Sequence, residues 1–465
     1  KKYDDALKYN TCCLSCYASE FGLASANRYS PYRNRAYIYQ KMGLKDSAFC
    51  CMDSLFLSHQ LKSVSMETVA GHYVQRGLLY ANFDEYGLAI ADYKYADSLL
   101  SVRYPEDSNS RMHILLAMAN CWYHKKDFAV AKKNYSHYSV LCKSKYGDQS
   151  MEYANSLYYL ANIEGFTNEK QVGCKDYRQA AILLKELIKK QLRYLPTNAR
   201  TKYWNDLSDI LWNMTAYAVK IGVKQEPFAC DAYNALVFSK GLLLESERSM
   251  RNLLRQSGTE EDLALYNKML LLQSRLTEVE RATGKGTENA NELYSQIDQI
   301  DKQLASKCSF YGNYTQFLNT QYKDIKNALK EGEVAIDFTD FKLDSVHCYA
   351  AYVLRKEWEY PLLVPLFNQN QLDSLYNTVN NITDRLYHFP YSQSLLKLCW
   401  ESLSHYIHLG ETVYYVPAGT LHQLSLESVA VTSDSILGDQ YHFIRLSSTR
   451  EICRRELQQT GHTSA

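Results

Sequence analysis

Glycine and proline are scarce in this chain. Gly 19 and Pro 8 make about 6% of 465 residues, roughly half the usual ~12%. A turn-rich all-β protein needs more of both, so helices are expected. Charge of one sign is also lacking, because Lys+Arg 52 stand against Asp+Glu 51. That balance leaves no basic footprint of the kind a nucleic-acid binder carries. No run of about 18 apolar residues occurs, so no membrane-spanning helix is expected. The opening residues KKYDDALKYN lack the apolar core of a signal peptide and an initiator Met. The chain therefore reads as a fragment or a processed product.

Thirteen cysteines are an odd and scattered set. They argue against a secreted disulfide framework and for a reducing, cytoplasmic compartment. The densest group is Cys12, Cys13 and Cys16. Zinc would need a second ligand pair at similar spacing, and none follows nearby, so neither metal nor cofactor is expected. These thiols, with Cys50 and Cys51, are expected to fill close helix contacts as small apolar side chains. What the chain does have is apolar residues, at 46%, which excludes disorder, and Tyr, at 40 residues.

The strongest pattern is periodic. An Ala follows a short polar turn at Ala6, Ala48, Ala89 and Ala131, with spacings of 42, 41 and 42. Nine residues before the last three stand Tyr39, Tyr80 and Trp122. The next candidate, Ala180, comes 49 residues on, which fits a seven-residue insertion around Glu164–Gly173. There Glu164 takes the aromatic position. A small residue is required where two helix backbones approach, and an aromatic fills the neighbouring gap. A single helical hairpin cannot bury its own apolar face, so such units stack into a solenoid. Three spacings agreeing within one residue argue against an unrelated bundle. The pattern resembles the tetratricopeptide (TPR) repeat in its longer variant, and residues 1–256 are read as such an array. The segments at 201–220 and 227–254 are read as an atypical terminal pair. The resemblance implies a protein partner on the concave face lined by the first helices. On two of these helices one face carries Arg33, Tyr37 and Gln40, and His113, Asn120 and Tyr123. These are the candidate partner-binding residues, against the plainer reading of a solvated face.

Residues 257–330 form a connector. Leu265, Met269, Leu272, Leu276 and Val279 step by four and three, as do Leu293, Ile297, Ile300 and Leu304. Two such seams around TGKGT predict an antiparallel helical hairpin. TGKGT is read as a turn, because a phosphate loop would need Gly where Val279 stands and Ser or Thr after Lys285.

From Glu331 the period becomes strand-like: EVAIDFTDF, HCYAAYVLR, LLVPLF, TVYYVPAG and YHFIRLSS. Two helical stretches, QLDSLYNTVNNITDRLY and SQSLLKLCWESLSHYIHL, lie between the third and fourth. Hairpin-style strands followed by strand–helix alternation predict a mixed α/β sheet in 331–465.

YNALVFSKGLLLESERSMRNLL, LKEGEVAIDF, YAAYVLRKEWEYPLLVPLF, VYYVPAGTLHQLSLESVAV and YHFIRLSSTREI resemble, in order and spacing, the CHAT family. These are caspase-like domains attached to TPR arrays, and the resemblance spans roughly residues 228–452. It implies a cysteine peptidase with a His–Gly at one strand end and a Cys at the next, the thiolate attacking and backbone N–H groups holding the oxyanion. No His–Gly dipeptide follows Glu331. His422 lies in a strand-to-loop segment, and Cys348, Cys399 and Cys453 lack a strand-end setting. No catalytic residue is therefore carried over. A caspase-like domain needs roughly 200 residues, against about 135 from Glu331 onward. The expected fold is an α-solenoid, a helical hairpin and a partial α/β domain, with an exposed sheet edge. The parent protein reads as a partner-regulated protease and this chain as inactive, and the alternative is a non-catalytic interaction scaffold. Ser447 and Ser448 read as loop or cap residues.

Overall fold

The computed structural model describes residues 2–21, 29–59, 65–167, 169–192, 204, 209–240, 259–283, 288–307, 319–377 and 386–453. Contacts divide the chain into two compact units, Lys1–Asp176 and Tyr177–Ala465.

The first unit is built of helical hairpins. Its helices are α1 (Lys2–Phe21), α2 (Tyr29–Lys41), α3 (Lys45–His59), α4 (Met66–Asn82), α5 (Tyr86–Ser101), α6 (Asn109–His124), α7 (Phe128–Tyr146), α8 (Met151–Glu164) and the start of α9 (Lys170–Leu192). α2 packs on α3, α4 on α5, and α6 on α7. One turn makes all three hairpins. The carbonyls of Tyr39, Tyr80 and Trp122 accept from the N–H groups of Leu44, Glu85 and Asp127 at 2.9, 2.9 and 3.1 Å. This bond, closing over a residue of positive φ at Gly43, Asp84 or Lys126, is the Schellman end of a helix. Three residues into the next helix, Ala48, Ala89 and Ala131 are fully buried. The aromatic position therefore fixes the turn as well as filling a gap. After α8 the turn changes: Gly165 and Phe166 donate to Ala161 and Ile163, and the longer link matches the expected insertion.

A second small-residue series runs along the first helices at Ala36, Gly77, Ala119 and Ala161, with the same period. It faces large residues of the second helices. A Cβ on Gly77 would stand 2.8 Å from the Tyr93 ring. Not every small residue lies in a contact. Asn10 and Leu14 are on the buried side of α1, which turns Cys12, Cys13 and Cys16 to solvent, and Cys50 is exposed as well. The expectation that these four fill helix contacts is corrected, and only Cys51 does so.

In the second unit, α10 (Asp209–Lys220) and α11 (Pro227–Ser239) precede the connector helices α12 (Glu260–Thr283) and α13 (Glu288–Lys307), then α14 (Tyr322–Ala328). α12 and α13 pack along one another. Leu293, Ile297, Ile300 and Leu304 are all buried, as expected. On α12 the seam turns by one residue: Tyr266, Met269 and Leu276 are buried, while Leu265, Leu272 and Val279 are half-buried. Residues 284–287 of TGKGT lie outside the described residues.

Five strands form one mixed sheet: β1 (Glu333–Leu343), β2 (Val346–Arg355), β3 (Leu362–Asn368), β4 (Thr412–Val416) and β5 (His442–Arg445), in the order β3-β2-β1-β4-β5. β1 and β2 are an antiparallel hairpin closed by Asp344 and Ser345, both at positive φ. β1–β4 and β4–β5 are parallel. β4 ends earlier than TVYYVPAG suggests, because Pro417 has no N–H for the ladder and 419–423 turn into a 3₁₀ helix.

Alternation along β1 divides its side chains between two faces. Val334, Ile336 and Phe338 join the main core with α15 (Gln369–Asn377), α16 (Ser392–Cys399) and α17 (Glu401–Ser404). On the other face α10 packs on β1. There Thr215 meets the Tyr352 hydroxyl at 3.1 Å and the Tyr233 ring lies 5.3 Å from that of Tyr352. The two helices read from sequence as the end of the array thus cover the sheet. At the β3 edge, Pro365 removes a donor and Leu363 N–H is bonded to the Lys224 carbonyl at 2.9 Å. β5 ends the sheet on the other side with its residues exposed or half-buried, after the helical turn α18 (Leu437–Gln440).

Candidate functional site

Arg33, Tyr37 and Gln40 step by four and three, so a helix places them on one face of α2. Gln75, Leu78 and Asn82 do the same on α4, which touches α2. Together with Asn34 they line a groove of about 350 Å³ whose floor is Ala36, Met52 and Leu79. The floor residues are buried core, whereas Tyr37 and Leu78 are exposed. The groove thus offers amides, one guanidinium and two apolar side chains over a fixed floor. Such a surface can bracket an extended chain with hydrogen bonds and hold one apolar side chain of it.

The structure brings Arg33, Tyr37 and Gln40 together and leaves His113, Asn120 and Tyr123 out of that groove. His113 is exposed on α6. The Asn120 side-chain Oδ1 accepts from the Tyr135 hydroxyl at 2.5 Å, a bond between the two helices of its hairpin. Tyr123 packs edge-on against Phe128 and Phe166. Leu78 and Gln75 went unmarked in the sequence, although each stands 41 residues after Tyr37 and Asn34. The period itself could have found them.

One ion pair fixes the α4 side of the groove. Arg76 donates to both carboxylate oxygens of buried Asp92, at 2.8 and 2.7 Å, and lies over the Phe56 ring. Those hydrogen bonds raise the Arg76 pKa against the lowering effect of burial. This fork geometry fixes α4 against α5.

In the second unit the late thiols and imidazoles occupy distinct settings. Cys348 is half-buried in β2, and burial raises its pKa. Cys399 is buried at the end of α16, where loss of solvent pushes the thiol up to about 12. A thiol so raised is a poor nucleophile at neutral pH. Cys453 is half-buried after β5. His347 Nε2 meets Asp340 Oδ2 at 2.9 Å across the β1–β2 hairpin. His422 lies in the 3₁₀ turn, and burial and then the Lys240 and Arg445 charges lower its pKa. Ser447 and Ser448 lie in the loop after β5, where the Ser448 hydroxyl accepts from the Arg450 N–H at 3.4 Å at the start of a helical turn, and neighbouring Thr449 donates to Asp337.

No family model matches the chain, and no curated protein matches it. Solved structures similar to it include BtubC (BKLC) from P. vanneervenii, 15% identical, with a TM-score of 0.42 over 53% of this chain and 93% of that one. The nearly identical TPR-like repeats of a kinesin light chain from Podosopora anserina are 11% identical, with a TM-score of 0.36 over 40% of this chain and 88% of theirs. Among the described residues no helix is long and apolar enough to cross a membrane.

Proposed function

We propose that this chain is a protein-interaction scaffold whose helical repeats take a segment of a partner protein in the α2–α4 groove. One observation carries the reading: Arg33, Tyr37 and Gln40 of one repeat share a groove with Gln75, Leu78 and Asn82 of the next. An isolated hairpin would expose these residues to water, whereas stacking aligns them.

A display library of random peptides, selected on the 465-residue chain and read by fluorescence anisotropy, tests it. Binders should lose at least tenfold in affinity with Tyr37→Ala or Leu78→Asp, and little with His113→Ala. Binders indifferent to both groove variants overturn the reading.

The finer reading takes residues 1–256 as a TPR-like array, 257–330 as a connector and 331–465 as the leading part of a CHAT domain. On it, the parent protein is a partner-regulated cysteine peptidase in a reducing compartment, and these residues are its sensor and an inactive part of its catalytic domain. The order of the five strands and the open β5 edge support this. The raised thiols of Cys348 and Cys399 favour the alternative, a scaffold without chemistry of its own. Gating would require the partner to bind one arrangement of the protein more tightly than another.

A further inference from the structure

A buried ion pair in the second unit takes no part in the groove. Lys240 directly follows α11, and its side chain is 9% exposed. Asp337, midway along β1, is fully buried. The Lys240 ammonium forms an ion pair with Asp337 Oδ1 at 2.7 Å, and among the described residues that oxygen has no hydrogen-bond partner. The ammonium also donates to the Phe338 carbonyl and, at 3.3 Å, to that of Pro417. Its donors thus face two carbonyls by hydrogen bond and one carboxylate oxygen as an ion pair.

The carboxylate is held from the other side as well. Thr449 donates to Asp337 Oδ2 at 2.9 Å, and the Tyr233 hydroxyl of α11 donates to Thr449 at 3.0 Å. Arg450 Nη2 donates to the Lys240 carbonyl at 2.6 Å. The end of α11, β1, the exit of β4 and the turn after β5 therefore converge on one carboxylate.

The place of this node in the sheet gives it a meaning. Strands run outward from β1 in both directions, to β2 and β3 on one side and to β4 and β5 on the other. β4 ends at Val416, opposite Asp337, while β1 runs on to Leu343. Here Lys240 bonds the carbonyl of Phe338 within β1 and that of Pro417 just after β4.

We propose that Lys240 is a latch: it ties the position of α11 to the middle of β1 and to the carboxyl end of β4. A displacement of α11 must carry the ammonium with it, leaving a buried carboxylate without its counter-ion and the Phe338 and Pro417 carbonyls without their donor. The cost of such orphaned groups is what couples these segments. Lys240 is a positioning residue, and the segments it positions are 417–424 and 446–453.

Amide hydrogen exchange on the full 465-residue chain tests the latch. Asp337→Asn keeps the shape and the Thr449 contact but removes the charge, and Lys240→Met removes the ammonium. Each should speed exchange at least tenfold at the end of α11, in 417–424 and in 446–453, while β2 and β3 exchange as before. Lys240→Arg should not restore protection, because a planar guanidinium cannot reach the same three acceptors. A merely structural pair would raise exchange equally throughout the unit, and that outcome overturns the proposal. So does unchanged exchange, or failure of both Asp337→Asn and Lys240→Met to fold.

Discussion

Two residues show how local packing sets stability. Gly77 faces the Tyr93 ring, and Tyr93 is 1% exposed, so the ring has little room to yield. Gly77→Ala gains helix propensity of about 1 kcal/mol, but overpacking costs ~1–3 kcal/mol. A net loss of about 1 kcal/mol is expected, read as a lower midpoint in urea unfolding. Lys185 on α9 behaves otherwise. Burial lowers its pKa to about 8, partly opposed by Asp231. The folded state therefore binds fewer protons than the unfolded state between pH 8 and 10.5, and stability rises with pH across that window. Lys185→Met should stabilise the chain by about 2 kcal/mol at pH 7 and flatten the rise, measured by denaturant titrations from pH 7 to 10.5. Neither effect is visible in the sequence. The Gly77 position shares the repeat period with Ala36 and Ala119, so its smallness was legible, but the ring that demands it was not. Glu164 was legible as a departure from the aromatic series. Its burial beside Lys132, at 3.2 Å, and the upward shift that burial gives its carboxyl were not.

At the scale of elements, the hairpin turns and strands were legible because both are written in short windows. A turn needs only five or six residues, and alternation along a strand needs fewer than ten. The Lys240–Asp337 pair joins positions about a hundred residues apart, and no local pattern encodes that. The same holds for Arg355 at the end of β2 and Glu411 before β4. Their guanidinium and carboxylate meet at 2.5 and 2.8 Å, and the His408 N–H adds a bond at 2.8 Å. Burial pushes the Glu411 pKa up, but these bonds overcome it and hold the carboxyl below its ordinary value. The pair's contribution is thus present above pH 4.5 and lost as pH falls through the lowered pKa. Arg355→Met strands a buried carboxylate and should cost about 3 kcal/mol at pH 7. The deficit should shrink below pH 4, where Glu411 is neutral in the variant, and thermal melts at pH 7 and 3.5 measure it.

At the scale of the whole molecule, a repeat array and an α/β sheet separate into two units with different tasks. The array presents side chains over a firm floor, and the sheet buries its polar groups in pairs. On the reading proposed here, these 465 residues cleave no peptide. Incubation with a peptide library should give no products, with or without a thiol alkylator, when followed by mass spectrometry. Cleavage that the alkylator abolishes would reverse that reading.

The distribution of sulfhydryls also has a practical side. Among the described residues, the outward-facing ones are Cys12, Cys13, Cys16 and Cys50, all in the first unit. The described ones of the second unit, Cys230, Cys348, Cys399 and Cys453, are wholly or partly covered. A maleimide dye would consequently mark the repeat array first, giving an optical reporter beside the groove while the sheet stays unmodified.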